Sequence, residues 1–288
     1  KCCKKAHLSN VYLAEWILPA SIGQLKKLIH LRANDNKLKA LPKGFGGMKA
    51  LEILSIDNNE LESLPLSFAQ LKKLRILWVH INKLKALPDN FGGLVSLNAL
   101  HIYYNQLYEF PTSFGDLPVL RKLECNNNQL TKLPATFGQL HNLVELNLEE
   151  NKFTRLPTSI GGLVNLKKLN LKKNQLLSLP DSFGNLQNLQ KLDLYLNKLQ
   201  AFPESVSKLA NLRWLNLGLN KFSVIPKSVG QLQKLRMFNL DGIYVTLTDL
   251  KHFFPLKQLR FLQLRFHIDD VNKGKQMLKK ALPKTKVR

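Results

Sequence analysis

Three side chains with metal-ligating or acid–base chemistry, Asp57, His80 and His101, follow one another at steps of 23 and 21 residues. A carboxylate and two imidazoles are donor types for a zinc site or a proton relay, and either use requires the three to meet in space. Parallel strands about 4.8 Å apart would put Asp57 and His80 in one row, with His101 one outward position away. A zinc site also wants a third or fourth ligand held by supporting groups, and the pattern guarantees none, so no metal or other cofactor is expected. There is no phosphate loop, no paired-cysteine metal spacing and no nucleophile elbow. Cys125 takes a repeating position held elsewhere by Leu, Ile or Val and reads as a small buried hydrophobe. Cys2 and Cys3 are adjacent and cannot staple a small secreted domain. The chain is expected not to be an enzyme.

What must position these residues is a repeat. Pro19, Pro42, Pro65, Pro88, Pro111, Pro134, Pro157, Pro180, Pro203 and Pro226 stand 23 residues apart. Asn36, Asn59, Asn82, Asn105, Asn128, Asn151, Asn174, Asn197 and Asn220 keep the same step. A fixed period of this length signals a solenoid, in which each unit covers its neighbour's apolar face and the array behaves as one elongated domain. Within a unit, Leu169 and Leu171 alternate with Asn170 and Lys172, the pattern of a short strand with leucines inward. The asparagine follows where the chain turns inward and can pair backbone groups the turn leaves open. A column of Ile22, Phe45, Phe68, Phe91, Phe114, Phe137, Ile160, Phe183, Val206 and Val229 reads as core packing rather than a ligand box.

The order Leu163, Leu166, Leu169, Leu171, Asn174, Leu176 resembles leucine-rich repeat proteins of the 23-residue class. It is similar to bacterial members and to intracellular Ras-suppressor and scaffold-type members. The resemblance implies an α/β fold: a right-handed curved solenoid with a parallel β-sheet on its concave face and short helical or irregular segments on its convex face. Right-handed crossovers between parallel strands agree with that handedness. It also implies a protein-binding platform whose usual site is the concave face.

Regular repeats are expected over 18–245. Residues 1–17 form a degenerate N-terminal capping or truncated unit, with Leu8 in phase but Asn10 and Leu13 at core and asparagine positions. In 246–268 the last repeat is irregular, after Ile243 replaces the asparagine and the step from Leu235 to Leu259 lengthens to 24. Residues 269–288 are expected to form a capping helix, with Asp269 or Asp270 as N-cap, Val271, Met277, Leu278, Ala281 and Leu282 on one face, and Pro283 as stop. A short final strand at the Lys-Val-Arg end follows from resemblance to bacterial caps.

Outward strand positions define the candidate partner-binding residues. Ile76, Trp78, His80, His101, Tyr103 and Tyr104 form an aromatic patch, which is the primary anchor. Lys122, Glu145 and Lys168 belong to a mixed charged belt, and Tyr195 and Trp214 open a second apolar stretch. Phe261 and Phe266 are expected to lie beneath the cap.

The 288 residues, 44% hydrophobic and 22% charged, exclude a disordered chain, and no stretch is apolar enough to span a bilayer. The net charge of +23 raises nucleic acid, anionic membranes and acidic partners. On the outward positions, however, Arg32, Lys122, Lys168, Lys172, Lys173, Lys191 and Arg265 are balanced by Asp35, Asp57, Glu124, Glu145, Glu149, Glu150, Asp193 and Asp241. A phosphate-binding groove would concentrate its bases, so nucleic acid is not expected there, whereas the basic C-terminal region could touch an anionic surface. The leading expectation is a non-catalytic protein-interaction module. The alternatives are a targeting module of a larger signalling protein and an electrostatic binder acting through the basic convex surface and cap. A start at Lys1 without methionine is expected of a processed chain or a fragment, and the pattern leaves compartment, partner identity and oligomeric state open.

Overall fold

The computed structural model describes residues 4–9, 18–264 and 271–288. Cys2, Cys3, Asn10, Leu13, Arg265, Phe266, Asp269 and Asp270 lie outside the described residues. The chain forms two compact units, Lys1–Leu146 and Asn147–Arg288. Both use one kind of step: a short strand, an inward turn at asparagine, and a return segment carrying a single 3-10 turn such as Leu66–Gln70.

In the first unit β1 (Lys5–His7), β2 (His30–Arg32), β3 (Ile53–Ser55), β4 (Ile76–Trp78), β5 (Ala99–His101) and β6 (Lys122–Glu124) pair side by side, all parallel and in chain order. Period-two alternation decides their facing: Leu31, Leu54, Leu77, Leu100 and Leu123 lie opposite one another and are fully buried. Behind them Phe45, Phe68, Phe91, Phe114 and Phe137 stack as a spine, with centroids 5.9 to 6.5 Å apart. Successive return segments approach closely. A Cβ on Gly46 would stand 1.8 Å from the carbonyl oxygen of Ser67, so this position needs glycine.

The asparagines complete the step. Asn82 Nδ2 donates to the carbonyls of Ile56 (3.0 Å), Val79 (3.2 Å) and His80 (3.3 Å), and its Oδ1 accepts the Leu61 N–H (2.9 Å). One buried amide thus closes its own turn and ties it to the preceding coil, which satisfies groups no sheet ladder reaches. Asn105 and Asn128 repeat the arrangement.

The first strand departs from the expected phase. Ala6, not Leu8, lies opposite Leu31, a step of 25. Leu8 falls in the next inward column, where its carbonyl accepts Asn36 Nδ2 at 2.8 Å, as Ile56 does for Asn82. The need to give that amide its carbonyl sets the register here.

The second unit contains β8 (Lys168–Asn170), β9 (Lys191–Asp193), β10 (Trp214–Asn216), β11 (Met237–Asn239), β12 (Phe261–Gln263) and β13 (Lys286–Val287), again parallel and in chain order. A further strand, β7 (Glu145–Asn147), falls where the two units divide. Within the last repeat, α1 (Leu247–Lys251) starts at a capping box between Thr246 and Asp249, a signal readable in the residue types but overlooked in the expectation of irregular chain. α2 (Val271–Ala281) buries Leu278, with Leu282 buried just beyond its end, and packs against α1. Among the described residues, no helix is long and apolar enough to cross a membrane.

Candidate functional site

Because Leu77 and Val79 point into the core, Ile76, Trp78 and His80 must emerge on the solvent face of the sheet. The same alternation on β5 and its continuation exposes Ala99, His101 and Tyr103. Parallel register then sets Trp78 opposite His101, and ring meets ring. Trp78 stacks on His101 with centroids 5.7 Å apart, His80 stacks on Tyr103 at 4.3 Å, and Tyr104 meets Tyr103 edge-on at 5.8 Å. Offset and edge-on contacts of this kind stabilise aromatic clusters beyond simple burial.

Polar neighbours fix the two imidazoles from opposite sides. Asp57 Oδ2 lies 3.6 Å from His80 Nε2, and Asp57 Oδ1 accepts the Ser55 hydroxyl at 2.6 Å. Glu124 Oε2 lies 2.6 Å from His101 Nδ1, while Lys122 Nζ sits 2.8 Å from Glu124 Oε1. The His101 hydrogen bond, helped by Lys122, holds the Glu124 carboxyl down at about 2. Burial pushes the His80 imidazole below its ordinary range against the pull of Asp57. Among the described residues His80 Nδ1 is buried without a hydrogen-bond partner, which also disfavours a charged ring. Burial raises the Tyr103 phenol.

These contacts split the proposed ligand set. His80 faces Asp57, but His101 turns to Glu124 on the far strand, and among the described residues no three His, Cys, Asp or Glu side chains could hold one metal ion. Ser55 donates to a carboxylate and not to an imidazole, so Ser55, Asp57 and His80 do not make a nucleophile and base. The cluster is a rigid surface of rings with clamped polar edges. Glu124 gives it an acid sensitivity: a carboxyl depressed by folding stabilises fully above its unfolded value of about 4.5 and loses that contribution as pH falls toward about 2. Glu124→Gln is therefore expected to flatten the acid limb of stability across that window, measured by denaturant unfolding at stepped pH. An unchanged limb would show that the His101 contact does not bias the carboxyl.

Backbone conformation adds a second feature. The residue before each asparagine is left-handed, and Ile81 (φ 52°) and Tyr104 (φ 51°) take that position beside the rings. Asn58 and Asn127 suit it, whereas a β-branched residue there is strained. Ile81 is 45% exposed and Tyr104 54%, so neither is repaid by core burial. Ile81→Asn is expected to raise stability by about 1 kcal/mol in urea unfolding, and a loss of stability would contradict the strain.

The remaining candidates are not gathered here. Lys122 joins the cluster through Glu124, and Glu145 opens β7, half-buried. Lys168, Tyr195 and Trp214 belong to the second unit, where Lys191 Nζ lies 4.6 Å over the Trp214 ring. Phe261 was expected beneath the cap but is 45% exposed. The reason is register: β13 extends the sheet beside β12 with Lys286 opposite Phe261, and α2 turns Leu278 to the core instead.

The profile described as "Leucine-rich repeat region" matches residues 8–108 and 157–285, and one described as "Leucine rich repeat" matches 118–176. The chain belongs to the leucine-rich repeat family. No curated protein sequence matches it. Among solved structures, a leucine-rich repeat protein of Leptospira interrogans is 31% identical, with a TM-score of 0.64, over 94% of this chain and 86% of its own. A chain of the plant peptide hormone receptor RGFR1 in complex with RGF2 is 25% identical, with a TM-score of 0.71, over 86% of this chain and 45% of its own. One from the Toll–Spätzle complex of Drosophila is 25% identical, with a TM-score of 0.77, over 91% of this chain and 40% of its own. This leucine-rich repeat chain thus spans less than half of either receptor-complex chain. Reading outward positions one strand at a time found the rings of the leucine-rich repeat sheet but missed Glu124 and Lys191 as clamps. The signal was present, since each faces its ring from the neighbouring strand in the same repeat column.

Proposed function

We propose that the chain is a non-catalytic module that binds another protein through the solvent face of the first unit's sheet. Trp78, His80, His101, Tyr103 and Tyr104 form the anchor and Ile76 flanks it. The observation that carries this reading is the stacked ring cluster itself: five aromatic or imidazole side chains held in register over no core, beside strained and exposed Ile81. Rigid aromatic side chains give large contact area at small entropic cost, and strain kept in an exposed residue points to a use on the surface. The family setting agrees, since two of the similar structures are complexes, one with RGF2 and one with Spätzle.

The test is a pull-down from the source cell's lysate and medium with the parent and a folded Trp78→Ala, Tyr103→Ala variant, each at low and high salt. A protein retained by the parent at both salts and lost by the variant supports the ring cluster. Material recovered equally by both chains and stripped by salt would instead favour recognition by the basic surface.

A further inference from the structure

The second unit carries a different surface, on three successive rungs. Arg213, Arg236 and Arg260 each enter a strand directly before a large apolar residue, Trp214, Met237 and Phe261. The rungs are in register, with Trp214 opposite Met237 and Met237 opposite Phe261. The arginines are stacked likewise: the Arg236 N–H donates to the Arg213 carbonyl and the Arg260 N–H to the Arg236 carbonyl, both at 2.8 Å. All three side chains are exposed, and among the described residues none has a carboxylate partner. Like charges on adjacent strands about 4.8 Å apart repel. The strand ends beyond them, Asn216, Asn239 and Gln263, are uncharged, while Lys191 and Lys286 flank the strip opposite Trp214 and Phe261. Met237 and Phe261, 42% and 45% exposed, help line a hollow of about 130 Å³ with Trp214.

We infer that this strip binds an extended acidic polypeptide segment bearing an apolar side chain. The carboxylates neutralise the arginine row and the apolar group enters the hollow. Charge complementarity selects an anion, and the hollow selects among anions. A nucleic-acid strand would need several open ring faces, but Lys191 covers the Trp214 ring and Met237 has none. A membrane would need apolar groups projecting outward, whereas these line a depression.

Fluorescence anisotropy of the full chain tests it, using a labelled peptide of about eight residues, enough to cross the rungs, alternating glutamate with leucine and phenylalanine. Saturable binding is expected. It should weaken by about tenfold with serine in place of the apolar residues, and by a similar factor with Arg236→Glu or, independently, Arg213→Glu. Lys27→Glu makes the same charge change on an exposed site of the other unit and is expected to leave binding unaltered. Equal affinity for the serine peptide, indifference to both arginine variants, or an equal loss with Lys27→Glu would overturn the inference. So would binding confined to single-stranded oligothymidylate or to phosphatidylserine vesicles.

Discussion

Replacing Asn82 by alanine is expected to cost about 2–4 kcal/mol of stability, far more than its size suggests. The substitution removes little apolar surface, yet it orphans the buried Leu61 N–H and takes one donor from each of the carbonyls of Ile56, Val79 and His80, which keep only Asn59 Nδ2, Asn105 Nδ2 and the Asn58 N–H. The N–H left unpaired costs about 1–3 kcal/mol, and the three weakened carbonyls add the smaller net worth of their lost bonds, partly recovered by relaxation and entering water. Because two of the four belong to the preceding coil, the damage spreads to the rung that supports Asp57 and His80. Asn90→Ala is the control. That side chain is exposed and among the described residues bonds the Leu66 carbonyl alone, at 3.1 Å, so its loss should stay within about 0.5 kcal/mol. Urea unfolding of both variants decides the point, and similar midpoints would show that the column does not hold the coil.

Trp78→Ala is expected to weaken partner binding by about 2 kcal/mol or more, roughly thirtyfold, with modest salt dependence. The ring lies on the solvent side of β4 against His101, so its removal leaves the leucine and phenylalanine core intact and costs stability about 1 kcal/mol, the worth of the lost stack. It also uncovers His101, whose clamp by Glu124 would then hold a smaller platform. Tyr104→Ala should cost less, because Tyr104 touches the cluster only edge-on through Tyr103. Titration calorimetry with the captured partner measures both. A Trp78→Ala affinity equal to the parent's would place recognition elsewhere.

The repeat was legible because its most constrained residues are its most regular. Only an amide with two donors and an acceptor satisfies the inward turn, so asparagine recurs, and the outer core takes a large apolar side chain, Phe45 to Phe137 in the first unit and Ile160, Val206 and Val229 among those of the second. Which rings emerge on the sheet was equally readable, since period-two alternation leaves Trp78, His80, His101 and Tyr103 no other side. Lateral contacts were harder. Whether His101 would face Asp57 or Glu124 depends on side-chain direction between rungs, which alternation does not specify. The left-handed position was half visible: Asp35, Asn58 and Asn127 suit it, but Ile81, Leu196 and Leu219 occupy it at a cost that no pattern of hydrophobicity reveals. At the ends, where coils lose one neighbour, Ala6 took the place opposite Leu31 that the repeat phase gave to Leu8, and Phe261 kept its register but stayed exposed because β13 continues the sheet beside it.

Site-specific photocrosslinking tests most directly whether the sheet face of the first unit is the binding surface. A benzophenone amino acid would replace Tyr104, 54% exposed beside the rings, or Leu66, 68% exposed on a return segment. Binding through the ring cluster requires that the partner crosslink at position 104 and not at 66. Crosslinking at 66 with none at 104 would contradict it.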